Sequence, residues 1–321
     1  MKKYLISAVI ASLGTSVMVG GASADSTATY PNRPITVVVP ASVGGGSDTI
    51  ARIFAEYLQR RLKQPVIVEN RPGATGSIGT NHVYRAAPDG YTLLFNGSEF
   101  GVMPAVRKDI AYDIGDFTYL VKGFMSTPLL LASPKLPVNS VSELVEYMKA
   151  NPGKATYGST GVGGIIQLGV ALFEQSVGAS ALHVPFQGQT PNYAALLGGH
   201  VDFSEGGAPI TEGIKVLAAT GSKRNSGYPD VPTLEEAGIK GATWSLWYGF
   251  IAPPGVPKNI QEKLNKEMLA VLDDPEASKK FSTLISGLTT DILVGDDFKN
   301  LVMEENKTWA SLAKENGIVI E

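Results

Sequence analysis

Two glycine-rich segments of the chain have the composition of anion-binding turns. The first turn, residues 40–48, follows the apolar strand-like run 35–39, and the second turn, residues 158–164, follows the strand-like run 155–157. Glycine allows the backbone to approach a ligand closely, and a helix start presents unpaired N–H groups at the positive end of its dipole. Each turn therefore predicts a site for an anionic group, and the pair predicts one anion held between two lobes.

A lone glycine turn is also compatible with tight packing of a strand on a helix. Here two turns occur, and hydroxyl groups accompany them at Ser42, Ser159 and Thr160. A further strand, residues 91–95, ends at Asn96, Gly97 and Ser98, and open α/β sheets bind ligands at the carboxyl ends of their strands. These observations favour a binding site over a purely structural role.

The glycine-rich segments do not match the common catalytic and nucleotide-binding motifs. Residues 158–161 do not form G-x-S-x-G, because Tyr157 stands where the first glycine should be. Residues 161–166 fail G-x-G-x-x-G at Ile166, and 44–48 lack the Lys-Ser/Thr ending of a phosphate-binding loop. The sequence names no nucleophile with a matching base, so we predict that the chain is not an enzyme.

The composition of the chain argues against several further kinds of site. The chain has a formal charge of −3, no cysteine and only 3 histidines. A disulfide and a thiolate metal site are excluded, and no zinc motif is present. An acidic chain without a basic stripe argues against nucleic acid. We expect no metal and no cofactor.

The N-terminus has the pattern of a secretory signal peptide. Lys2 and Lys3 precede an apolar stretch over residues 4–19, and the small-x-small pattern 22–24 follows. A membrane anchor is the alternative, but the apolar stretch is short and interrupted by serine and glycine. We predict a signal peptide over residues 1–24, removed near Ala24 after export.

Short strand-like runs alternate with amphipathic helices along the mature chain. Ile50, Ile53, Phe54, Tyr57 and Leu58 form one apolar helical face directly after the first turn. The strand–helix alternation restarts near residue 155, which predicts a second doubly wound α/β domain.

The whole mature chain resembles the substrate-binding proteins of tripartite tricarboxylate transporters, the Bug or TctC-like family. The segments that carry the resemblance are 30–35, 45–48, 65–74, 87–94, 150–154, 183–186, 229–233 and 252–258. The resemblance implies a type II-like periplasmic binding protein fold, in which two α/β lobes, each a doubly wound sheet, are joined by two crossing strands. We expect residues 25–125 plus 249–321 in one lobe and 126–248 in the other.

The resemblance also implies a function and a set of contacts. Such a protein is periplasmic, acts as a monomer, and captures an organic carboxylate (a di- or tricarboxylate or an aromatic one) for the permease subunits of a membrane transporter. The expected ligand contacts are Ser42, Val43, Gly44, Gly45, Asn96, Ser98, Ser159, Thr160, Gly161, Gly163, Gly164, Asp202, Glu205 and Gly206. A ligand sensor that serves a membrane receptor and a secreted α/β enzyme acting on a carboxylated substrate are the alternatives.

The chain departs from the family pattern in the second lobe. Ile165 and Ile166 stand where the family often has proline and polar residues, and Gly206 stands where it often has an acidic or amide side chain. We therefore expect a less polar and roomier pocket wall, suited to a larger or more apolar carboxylate.

Overall fold

In the computed structural model, which describes residues 30–207, 209–285, 287–318 and 320, helices alternate with strands as predicted. The strands are β1 (Ile35–Val39), β2 (Val66–Asn70), β3 (Thr92–Gly97), β4 (Thr118–Ser126), β5 (Leu129–Ala132), β6 (Thr156–Ser159), β7 (Leu182–Pro185), β8 (Phe203–Gly206), β9 (Lys215–Ala219), β10 (Leu246–Ala252) and β11 (Leu288–Val294). The helices are α1 (Gly46–Leu62), α2 (Ser77–Tyr84), α3 (Glu99–Val106), α4 (Val141–Ala150), α5 (Ile165–Val177), α6 (Gln189–Gly198), α7 (Lys258–Leu272), α8 (Pro275–Leu284) and α9 (Asp296–Glu315).

The predicted signal peptide, residues 1–24, lies outside the described residues. Among the helices that are described, none combines the length and the apolar character that a membrane span requires.

A six-stranded sheet with its helices forms what we call the first lobe. Its strand order is β11-β4-β10-β3-β1-β2. β1 pairs in parallel with β2 and β3, whereas β10 runs antiparallel to β3 and β4, and β11 antiparallel to β4. Because β1 and β3 are parallel neighbours, their carboxyl ends meet at one sheet edge. The first turn and residues 96–98 are thereby brought together.

A five-stranded sheet with its helices forms the second lobe. Its order is β7-β6-β8-β5-β9, with β6 parallel to β7 and β8, and β5 antiparallel to β8 and β9. The parallel strands place the second turn and the end of β8 at the same edge. The predicted two-lobed α/β fold is confirmed, with antiparallel strands added to a parallel core in each sheet.

Two segments connect the lobes. β4 leads into β5 through Thr127 and Pro128, and the chain returns to the first sheet at β10. β4 and β10 pair antiparallel from Thr118↔Ala252 to Ser126↔Leu246. This ribbon ends where both strands leave the first lobe, as expected of two crossing strands.

The predicted apolar face of α1 is buried against the first sheet. Ile50 and Leu58 are fully buried, and the Phe54 ring lies 4.6 Å from the Phe250 ring on β10. Helix α1 begins directly after Gly45, its N-cap residue.

A second apolar cluster joins the lobes. Val102 and Met103 of α3 pack with Ile165 and Ile166 of α5 and with Trp309 of α9. Helix α9 contacts both α3 and α5, so the C-terminal helix packs on the first lobe and also reaches the second. Burying a large apolar side chain contributes about 1.5–3 kcal/mol. The two lobes therefore contact one another through an apolar core beside the turns.

Candidate functional site

The first turn is built around a buried aspartate. The Gly44 N–H donates to Asp48 Oδ2 (2.9 Å), while Arg52 and Asn70 Nδ2 hold the other oxygen, at 2.9 and 3.0 Å. Burial opposes the charge of Asp48, but these hydrogen bonds keep its pKa below the ordinary value. Asp48 thus acts within the protein, as a clamp that shapes the turn, and not as a ligand contact.

The clamp leaves a row of backbone donors at the start of α1. The N–H groups of Gly46, Ser47 and Asp48 belong to the first helical turn, which offers them no carbonyl partner. Gly44 has φ +84°, and a Cβ there would meet nothing within 4 Å, so this side of the turn is open. Val43 at the tip is 71% exposed. The arrangement suits an anionic group, since unpaired amides and the helix dipole act together.

The second turn is organised by Ser159, which is fully buried. Its Oγ accepts from the Gly161 N–H (3.2 Å), lies 3.0 Å from the Gly161 carbonyl oxygen, and lies 2.6 Å from His183 Nε2. Burial lowers the pKa of His183 to about 4, and the ring stacks on Tyr157 with centroids 4.9 Å apart. His183 is therefore neutral at neutral pH.

A serine beside a neutral histidine also resembles the nucleophile and base of a hydrolase. Here the serine has no exposed surface, and its hydroxyl is already engaged by both backbone groups of Gly161. The pair holds the shape of the turn and is not placed to attack a substrate.

Three successive donors, from the second turn to the first residue of α5, are engaged within the chain. Gln167 Oε1 accepts from the Gly163 N–H (2.7 Å), and the Gly161 carbonyl accepts from the Gly164 N–H (3.3 Å). The Ile165 N–H donates to Glu99, whose two carboxylate oxygens each lie 3.2 Å away. The second turn therefore differs from the first at the first helical amide, which Glu99 occupies in α5 and which stays open in α1.

Glu99 is the first residue of α3 and belongs to the first lobe, so its bond to Ile165 crosses between lobes. Burial raises the pKa of the Glu99 carboxyl to about 7, and the hydrogen bond from Ile165 opposes that rise. Glu99 is not among the contacts predicted from the sequence. Its position directly after Ser98, at a strand end predicted to face the ligand, was the feature that could have pointed to it.

Two other contacts bring the first lobe against the second turn. A Cβ added to Gly161 would lie 3.6 Å from Thr75 Oγ1, and one added to Gly163 would lie 2.8 Å from Ile320 Cδ1. Ala74 and Thr75 both adopt positive φ, at 46° and 51°, which is uncommon for residues with a Cβ. Such backbone strain is concentrated at functional sites, so Thr75 joins the candidate contacts.

The polar side chains at the end of β3 are buried and form hydrogen bonds within the protein. Asn96 Oδ1 accepts from the Gly97 N–H (2.8 Å), and Ser98, only 2% exposed, accepts from the Trp247 N–H through its Oγ (3.0 Å). Ser98 thereby links the end of β3 to the crossing strand β10. We had expected it to contact the ligand, but the structure gives its hydroxyl a structural bond.

The predictions on β8 need correction. Asp202 accepts from the N–H and the hydroxyl of Thr156, at the start of β6, and so lies at the sheet edge opposite the second turn. Glu205 is fully buried on the α5 side of the sheet and accepts from Trp244 Nε1 (3.0 Å). Neither carboxylate reaches the cleft in this structure.

The structure also lacks, among the described residues, the less polar and roomier pocket wall that the sequence predicts. Ile165 and Ile166 are buried in the apolar cluster between the lobes and do not line an open pocket. The space at Gly206 is occupied, because a Cβ there would lie 2.3 Å from Gln189 Nε2 and 2.4 Å from Tyr193 Oη. These two side chains fill the space predicted to accommodate a larger ligand.

The chain is similar to known proteins over most of its length. A sequence profile described as the tripartite tricarboxylate transporter family receptor matches residues 50–318. Protein BugT of Bordetella pertussis is 33% identical over 319 residues, covering 96% of this chain and 97% of BugT.

Solved structures agree with this assignment. The periplasmic binding protein BugD has a TM-score of 0.82 at 33% identity and covers 91% of this chain and 100% of its own. Rpa4515 of R. palustris, solved with adipate, has a TM-score of 0.82 at 29% identity and covers 90% and 99%.

Proposed function

We propose, from the premise that the chain belongs to the tripartite tricarboxylate transporter receptor family, that it captures an organic carboxylate and delivers it to a membrane permease. The family and its structural neighbours are receptors and binding proteins. Periplasmic location is part of the proposal. It is supported by the signal-peptide pattern of residues 1–24 and by the description of BugD as a periplasmic binding protein.

The open first turn is the observation that carries the proposal. It presents the amides of Gly46, Ser47 and Asp48 and the exposed side of Gly44 at the cleft edge of the first sheet. A carboxylate is the anion best supported, because Rpa4515, an overall structural match, was solved with adipate. The ligand carboxylate would accept from these amides and from the Ser42 hydroxyl, without a charged partner.

The second turn would close on the ligand from the other lobe. We propose lobes of 25–125 plus 249–321 and of 126–248, with the β4/β10 ribbon as the hinge. Contacts to both lobes at once would bias the molecule toward its closed form. Gly161 lies at the face of the second turn nearest Thr75, and it and Thr160 remain candidate contacts.

Calorimetric titration tests the ligand class and the site together. We expect saturable binding of at least one organic carboxylate, and we expect Ser42→Ala to weaken it roughly 5- to 10-fold through loss of one hydrogen bond to a charged group. Ser278→Ala, an exposed serine on α8, is the matched control and should leave affinity unchanged.

Equal affinity in the Ser42 and Ser278 variants would remove Ser42 from the site. Failure of every carboxylate to bind would overturn the proposed function. Loss of uptake of the identified ligand in cells that lack this chain would separate delivery to a permease from signalling through a receptor.

A further inference from the structure

Glu99 places a carboxylate of the protein at the second turn. Both of its carboxylate oxygens lie 3.2 Å from the Ile165 nitrogen, and Oε1 lies 3.3 Å from the position a Gly164 Cβ would take. The group reaches there from the opposite lobe, since Glu99 begins α3 directly after β3. Its carboxylate therefore lies where the first lobe meets the start of α5.

The neighbouring donors of the second turn have partners of their own. The Gly161 N–H is bonded to Ser159, the Gly163 N–H to Gln167, and the Gly164 N–H to the Gly161 carbonyl. The Ile165 N–H, the first amide of α5, is bonded to Glu99. A second carboxylate from a ligand would find these donors occupied.

The first turn has no equivalent occupant. Its clamp, Asp48, accepts from Gly44 but leaves the N–H groups of Gly46 and Ser47 to the cleft. The two turns are thus unequal at the first helical amide: it is open at the first turn, whereas at the second turn it is bonded to a carboxylate of the chain. A ligand with one carboxylate at the first turn would have its other end near Glu99.

We propose that Glu99 determines specificity: it takes the place of a ligand carboxylate at the second turn, so the cleft selects molecules with a single carboxylate over molecules with two. The inference rests on the proposed function, because it assumes that a carboxylate binds at the first turn. A dicarboxylate would either have to displace Glu99 from Ile165 or bring a second negative charge close to it, and like charges in a partly desolvated site repel strongly.

The preferred ligand therefore carries one carboxylate and a neutral or cationic far end. A neutral end avoids the repulsion, and an ammonium group would be attracted by the Glu99 carboxylate. Burial and then the nearby Glu99 carboxylate raise the pKa of the half-buried Tyr248 to about 12, so an apolar ligand body would also find an aromatic ring near Glu99.

Matched ligand sets test this choice. Each set keeps the carbon skeleton and changes only the far end: adipate, hexanoate and 6-aminohexanoate; succinate, butyrate and 4-aminobutyrate; terephthalate, benzoate and 4-aminomethylbenzoate. In the set that binds, the wild-type protein should prefer a monocarboxylate to the dicarboxylate by at least roughly tenfold, the scale of one close charge repulsion. The ratio of affinities is the readout, because a merely structural residue would change both affinities together.

Two variants distinguish the effect of occupying the Ile165 N–H from the effect of the Glu99 charge. Glu99→Ala clears the Ile165 N–H and should shift the ratio toward the dicarboxylate by at least tenfold; Glu99→Gln keeps an acceptor in place and removes the charge, so it should shift the ratio less. Glu262→Gln, an exposed position on α7, is the control for net charge and should leave the ratio unchanged. Unfolding midpoints of all variants show that the fold is retained.

Three results would overturn the inference. A wild-type preference for the dicarboxylate would contradict it directly. A ratio within twofold of wild type in both Glu99 variants would show that Glu99 does not set the choice, while the proposed function would stand. Absence of any carboxylate binding, in wild type and variants alike, would defeat the proposed function and this inference with it.

Discussion

At the scale of single residues, the chain buries carboxyl groups in neutral surroundings. Burial raises the pKa of Glu205 to about 8 and those of Glu99, Glu174 and Glu305 to about 7. Glu205 is the most confined of them: it is fully buried, Trp244 Nε1 donates to one oxygen, and Oε1 has no partner among the described residues. Each of these groups holds its proton more tightly in the folded protein than in the unfolded chain, so stability depends on pH.

Glu205 gives a prediction with a definite sign. Its folded pKa of about 8 exceeds the ordinary value of 4.5, so the native state holds the proton more tightly and stability falls as pH rises between those values. Glu205→Gln removes this titration and keeps an acceptor for Trp244. Relative to wild type, the variant should gain on the order of 4 kcal/mol in free energy of unfolding on going from pH 5 to pH 9.

Urea unfolding at the two pH values measures that change. The exposed Glu262→Gln serves as the comparison and should show the same difference from wild type at both. A Glu205→Gln variant whose difference from wild type does not vary with pH would mean that the carboxyl is ionised and solvated in solution.

At the scale of elements, the two glycine turns have the same position in their sheets and opposite internal chemistry. Each follows a strand of a parallel pair and starts a helix. In the first turn, the Gly44 N–H is bonded to Asp48. The second turn is held by bonds to Ser159, Gln167 and Glu99. The second turn also packs against residues of the first lobe, so it acts as a contact surface between lobes.

Gly163 tests that contact. It has φ +72°, and an added Cβ would lie 2.8 Å from Ile320 Cδ1 and 3.0 Å from Val106 Cγ2. Gly153→Ala is a matched control, because Gly153 has φ +70° and nothing lies within 4 Å of its Cβ position. Both substitutions lose about 1 kcal/mol to the left-handed backbone, and Gly163→Ala should lose about 1–3 kcal/mol more through the clash.

Chemical unfolding of the two variants gives the difference. Equal losses would show that the second turn does not touch Val106 and Ile320 in solution, as in a molecule whose lobes stand apart. A larger loss at Gly163 supports the packed arrangement.

At the scale of the whole molecule, the periodic features were predictable and the long-range contacts were not. The apolar face of α1 and the restart of the strand–helix alternation depend on local spacing, so they indicated a two-lobed α/β fold. The capping pair at α4 was equally local: Glu143 N–H donates to Ser140 Oγ, at 3.2 Å.

The contents of the site depend on partners far apart along the chain. Glu99 meets Ile165, and Ser98 meets Trp247, across sequence separations of 66 and 149 residues. No periodicity connects such positions, which is why Glu99 was missed and Ser98 was assigned to the ligand. Asp202 was misplaced because sequence alone does not define strand boundaries to the residue: β8 runs from Phe203 to Gly206, so Asp202 lies at its amino end.

The central claim is that a carboxylate binds at the first turn, and amide NMR of the isotopically labelled protein tests it most directly. On addition of the tightest-binding carboxylate, the amide resonances of Gly46 and Ser47 should shift downfield and saturate with the calorimetric affinity, while Ile165, held by Glu99, should change little. Saturable shifts centred on Ile165 and absent from Gly46 and Ser47 would place the ligand at the second turn and contradict the account.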